Sequence, residues 1–131
     1  MSDNRIRSQF HRRWLAASVL ALVVVLTATH IPQATMPKFL QIDLLDKVEH
    51  LAAYGGVAAL FLLSVPGQSR PLLPVIGLLA LAGIGILDEA TQPLVNRYAS
   101  RYDYFADVVG ILLACPIFLV KRRFRSDTAA S

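Results

Sequence analysis

From Trp14 to Met36 the chain contains no Asp, Glu, Lys or Arg, and this restricts its possible folds more than any other feature. A helix needs roughly 20 residues at about 1.5 Å each to cross the hydrocarbon core of a bilayer, and the apolar run Trp14–Thr29 with its uncharged flank suffices. Three further runs follow. One is uncharged from Leu51 to Ser69, one opens at Pro71 and Pro74 and reaches about Gln92, and one extends from about Asp103 to Val120. Composition agrees: 17% of residues are charged, against about a quarter in soluble domains. The mean hydropathy is +0.52. The expected fold is all-α, a four-helix transmembrane bundle over residues 14–120 with short basic tails at 1–13 and 121–131.

Proline and glycine punctuate the runs. Pro32 and Pro37 break the connector from His30 to Leu45, Pro66-Gly67 ends the second helix, Pro93 stops the third, and Pro116 kinks the fourth. The second helix is expected to begin near Asp46, because Asp46 and Glu49 suit a helix N-terminus. The basic start could also mark a cleaved signal peptide. Against that, no clear small-x-small site precedes a soluble domain, and three more apolar runs follow. The lone cysteine, Cys115, lies in an apolar run and reads as a packed, inert thiol.

Charge placement sets orientation. With the N-terminus inside, the inner segments hold nine Lys and Arg residues and the outer segments four, Lys38, Lys47, Arg97 and Arg101. Both termini are therefore expected in the cytoplasm. The basic tails read as topology signals rather than as a nucleic-acid surface.

Six of the nine acidic residues (Asp46, Glu49, Asp88, Glu89, Asp103 and Asp107) fall at the starts of helices two and four or the end of helix three. With an even number of spans, these ends share the outer side. Asp46, His50 and Tyr54 are spaced i, i+4, i+8 and form one stripe on helix two. Lys47 neighbours His50, and Glu89 neighbours Gln92. Asp103 and Asp107 share a face that Gly110 and Ala114 continue. Small residues on such a face, and the pairs Ala52/Gly56 and Gly55/Ala59 on helix two, allow close helix approach. Ionised groups cost about 2.5–3.5 kcal/mol each at a membrane helix centre, so these groups are expected to face the bundle and pair, with Arg97, Arg101 and Lys47 as the available cations. Glu49 and Asp88 could equally be interface markers, and His50 could equally be a structural hydrogen-bonder.

These residues resemble the signatures of the VanZ-like membrane protein family. Asp46-Lys47-x-x-His50-x-x-x-Tyr54 is similar to the first, Asp88-Glu89-x-x-Gln92 to the second, and Arg97, Asp103, Asp107 and Gly110 to the third, in the family's order. Asp107 stands where many members have Asn. The resemblance implies a multi-pass protein of the bacterial cytoplasmic membrane and its envelope. The family takes its name from a member linked to resistance against the glycopeptide antibiotic teicoplanin. No reaction comes with it.

Three functions remain open at this level. The outer polar cluster, formed by Asp46, Lys47, His50, Tyr54, Glu89, Gln92, Arg97, Asp103 and Asp107, could bind a lipid head group or amphiphile. It could serve an enzyme on a lipid-linked substrate, with Asp46, His50, Glu89, Asp103 and Asp107 as acid–base groups or metal ligands. It could also only hold the bundle together for a membrane partner. A proton-coupled transporter is disfavoured, since helix one has no ionisable group at mid-membrane. The sequence alone assigns no cofactor and no resident metal. Nothing in it resembles HExxH, a phosphate loop or a nucleophile elbow.

Overall fold

The computed structural model describes residues 2–35, 42–66 and 72–129, with side chains described over 11–32, 34–35, 42–66 and 72–123. Pro37, Lys38, Gly67, Arg70 and Pro71 lie outside the described residues, as do the side chains of Arg5, Arg7 and Arg125. Four α-helices are described: α1 (Ser2–Thr29), α2 (Asp43–Ser64), α3 (Leu72–Thr91) and α4 (Arg101–Ala129). Short 3-10 turns follow α1 at Gln33–Thr35 and α3 at Gln92–Val95. The all-α expectation holds.

Three stretches are long and apolar enough to cross a membrane: His11–Thr29, Leu72–Val95 and Arg101–Arg123. α2 is not among them, because Asp43, Asp46, Lys47 and Glu49 crowd its first two turns. Its 22 residues nonetheless reach about 33 Å at 1.5 Å per residue.

The helix bounds refine the sequence reading. α1 and α4 extend into both basic tails, since neither tail contains a helix breaker. α2 begins at Asp43 rather than Asp46, and Asp43 pairs with Lys47 one turn on. α4 begins at Arg101 rather than Asp103. Ser100 is its N-cap: its hydroxyl accepts from the Tyr102 N–H at 3.2 Å, filling one of the unpaired donors of the first turn. α4 continues through Pro116. α3 stops at Thr91, and the turn around Pro93 closes on Asn96, whose φ of 56° is left-handed and whose N–H returns to Gln92 and Pro93.

α2 is the central element. It packs along α4 on one side and α1 on the other, while α3 leans mainly on α4. Glycine sets the α2–α4 spacing. A Cβ at Gly110 would collide with the Leu51 carbonyl oxygen, and one at Gly55 would sit 3.1 Å from the Gly110 oxygen. Of the two small-residue pairs expected on α2, Gly55/Ala59 therefore faces a neighbour. Ala52/Gly56 is exposed, and nothing lies within 4 Å of a Cβ at Gly56. The core comprises Tyr54, Val57, Ala58 and Leu62 with Leu81, Ile111, Ala114 and Phe118. Outside it, Leu20, Val23, Leu79, Leu87, Leu112 and Leu113 are exposed. Apolar side chains facing outward on three long helices fit a lipid solvent and not water.

Candidate functional site

At one end of the bundle the end of α1, the start of α2, the end of α3 and the start of α4 meet. All nine candidate residues collect there, although the sequence expectation had drawn them from helices two, three and four alone. The centre is His50, 3% exposed. Its Nδ1 lies 2.9 Å from Asp107 Oδ1 and 3.7 Å from Glu89 Oε1. Asp107 is fully buried. An Asn in its place would still offer the oxygen that His50 Nδ1–H needs. The His50 and Tyr54 rings lie nearly parallel, 6° apart in plane with centroids separated by 6.5 Å, as their spacing on one helical stripe requires.

Glu89 ties α3 to the start of α4. Its Oε1 accepts from Gln92 Nε2 at 3.1 Å and its Oε2 from the Ser100 N–H at 2.9 Å. Arg97 spans two helices. Nη2 donates to Asp46 Oδ1 at 2.7 Å, and Nη1 to the Ala28 carbonyl at 3.1 Å, at the end of α1. Lys47 lies 3.8 Å from Asp103 while also bonded to exposed Asp43. Arg101, the third expected cation, is exposed.

Asp88 is not an interface marker. It is 2% exposed and accepts from Thr29 Oγ1 at 2.7 Å and from the Tyr54 hydroxyl at 3.1 Å. His30 Nδ1 lies 3.3 Å from the same carboxylate, and its Nε2 meets Thr91 Oγ1 at 2.9 Å. Thr29, His30 and Thr91 are the residues that sequence reasoning missed. None is an Asp, Glu, Lys or Arg, and the signal at hand was that Thr29 ends the first apolar run, with His30 next to it, at the level of the acidic cluster.

Several polar atoms remain unmatched. His50 Nε2, Asp103 Oδ1 and Asp107 Oδ2 are buried without a hydrogen-bond partner. Two triads place ligand-type atoms within 4.8 Å of one another: Asp46–His50–Asp103 and His50–Glu89–Asp107. Two cavities flank the cluster. One, of about 300 Å³, lies between α1 and α2 and is lined by Val24, Val25, Ala28, Thr29, Ile31, Glu49, His50, Ala53 and Arg97. The other, of about 400 Å³, lies between α3 and α4 against Glu89, Ser100, Arg101 and Tyr104. Exposed Val24 and Ile31 put the mouth of the first cavity on the apolar flank of the bundle.

The opposite end of the bundle holds a simpler feature, also unforeseen. Lys121 Nζ donates to the carbonyls of Leu62, Leu63 and Val65 at 3.1, 2.8 and 2.8 Å. These lie at the end of α2, where carbonyls lack intrahelical partners.

No family model matches the chain, and neither a curated protein nor a solved structure matches it.

Proposed function

We propose that this chain is a four-span protein of the bacterial cytoplasmic membrane, similar to the VanZ-like proteins, whose polar end faces outward and binds a lipid head group or another amphiphile. On this reading α2 is the fourth crossing, and both termini are cytoplasmic. Binding would contribute to tolerance of envelope stress, glycopeptide antibiotics included. The observation that carries the proposal is the cavity between α1 and α2. Its wall of Val24, Val25, Ala28, Ile31 and Ala53 is apolar and ends on Thr29, Glu49, His50 and Arg97. An apolar channel closed by a few convergent polar groups suits a molecule with a greasy body and a polar head. Glu49 would meet a cationic or hydroxylated head, and Arg97 a phosphate.

The test is retention of a fluorescent lipoglycopeptide by the full chain in nanodiscs, alongside survival of cells under the same compound. Ala53→Trp, which fills the cavity, and His50→Ala are each expected to abolish retention and lower survival. Wild-type retention and survival in both variants, at normal protein levels, would refute the proposal. A reporter fused to the C-terminus tests orientation separately, with cytoplasmic signal expected.

A second reading is supported by the His50–Asp107 pair. A carboxylate on Nδ1 holds the tautomer that leaves Nε2 as an acceptor, the arrangement of a general base. This reading makes the chain an enzyme on a lipid-linked substrate. It predicts turnover that His50→Gln removes while retention of the amphiphile persists.

A further inference from the structure

We infer that His50, Asp46 and Asp103 form a binding site for one divalent transition-metal ion such as Zn²⁺ or Mn²⁺. Three observations converge. The first is that the three residues place ligand-type atoms within 4.8 Å of one another. Donors around a four-coordinate ion lie about 3–3.5 Å apart, so small side-chain rotations close the set.

The second is the pattern of unmatched atoms. His50 Nε2 and Asp103 Oδ1 are buried with no hydrogen-bond partner. Their residues are 3% and 2% exposed. A buried polar atom without a partner costs roughly 1–3 kcal/mol, and a shared cation removes that cost from both at once. A general base at His50 accounts for Nε2 but leaves Asp103 Oδ1 without a hydrogen bond, its ion pair with Lys47 Nζ being 3.8 Å long.

The third is the far side of the imidazole. A metal-bound histidine almost always donates its other N–H to a carboxylate or carbonyl, which fixes the ring and raises its basicity. His50 Nδ1 stands 2.9 Å from Asp107 Oδ1, and Asp107 is fully buried. Asp107 thus aims Nε2 at the ion without touching it, a positioning residue. Charge balance points the same way. Seven carboxylates lie at this end, Asp43, Asp46, Glu49, Asp88, Glu89, Asp103 and Asp107, and among the described residues Arg97 and Lys47 are the Arg and Lys side chains that pair with them. One imidazole with carboxylate oxygens is a borderline-to-hard donor set, which favours Zn²⁺ or Mn²⁺ over thiophilic ions.

The site stands whether or not an amphiphile binds in the neighbouring cavity. It is tested on the full, untagged chain, purified in detergent, stripped with EDTA and titrated calorimetrically with Zn²⁺ and with Mn²⁺. The expected result is saturation at one ion per chain. Asp103→Asn should raise Kd by more than about 100-fold, and Asp107→Asn by about 10-fold with the stoichiometry retained, because the amide still accepts from Nδ1 but lacks the charge by which the carboxylate raises the ring's basicity. Asp107→Asn keeps an acceptor for His50, so it also serves should Asp103→Asn fail to fold. Co²⁺ gives a readout on the wild type alone: visible absorption bands that Zn²⁺ abolishes. Failure of the wild type to saturate at one ion, absence of Co²⁺ bands, or an unchanged Kd in folded Asp103→Asn or Asp107→Asn would each overturn the inference.

Discussion

The two ends of the bundle handle buried polarity in opposite ways. Where α2 finishes, Lys121 brings an ammonium with three protons to three carbonyl oxygens, and donors and acceptors match with nothing left over. Where α2 begins, carboxylates from three helices gather around His50 and His30, Arg97 and Lys47 pair with two of them across helices, and among the described residues three buried atoms there find no hydrogen-bond partner. The first end is a cap and completes the fold. The second holds polarity and charge in excess of what the fold requires. Helix ends can be satisfied cheaply, so an unsatisfied one points to work beyond holding helices together.

This contrast can be broken or sharpened by substitution. The largest effect is expected at Gly110, which lies between the ends. Gly110→Val drives a side chain into the Leu51 carbonyl and should cost about 3 kcal/mol or more, with both ends lost together in thermal unfolding. A normal melting curve would show that α2 and α4 do not approach there. Next comes Asp88→Ala, which strands the Tyr54 hydroxyl and leaves Thr29 with its longer bond to the Leu26 carbonyl. The expected loss is about 2–3 kcal/mol, and adding Tyr54→Phe should recover part of it in a double-mutant cycle. Additive losses would contradict the hydrogen bond between the two. Lys121→Met keeps the aliphatic stem but removes the cap. It should cost about 1–2 kcal/mol and leave amphiphile retention and metal affinity unchanged, which separates the cap from the candidate site.

The smallest effect on stability is expected at Asp103. In metal-free protein Asp103→Asn should change unfolding free energy by less than about 1 kcal/mol, since it relieves surplus charge. A large loss of folded protein would instead place Asp103 with the structural groups.

Much of the site was legible because charge is costly in lipid. Asp46, His50 and Tyr54 had to share a face by their spacing, and Glu89, Asp103 and Asp107 had to lie near the same boundary. Arg97 was recognisable as their cation. The start of α4 was misjudged by two residues because Ser100 works as a cap through local geometry, a weaker signal than the acidic residue that follows. Asp88 and Glu89 are adjacent in sequence, so nothing local said that both turn inward: Asp88 meets Thr29 and Tyr54, while Glu89 meets Gln92 and Ser100. Lys121 looked like one more basic tail residue, because its partners are backbone carbonyls distant in sequence.

Hydropathy and the helical period act along the chain, and they sufficed to set the helical class, the apolar segments and the gathering of acidic helix ends at one level. Rotation of each helix about its axis, and the choice of neighbours, depend on contacts between distant segments. Those contacts arise from the close passage of Gly55 and Gly110 and from the arrival of α1 beside α2. They decided that Thr29 and His30 join the cluster, that Asp107 orients His50, and that a cavity opens between α1 and α2.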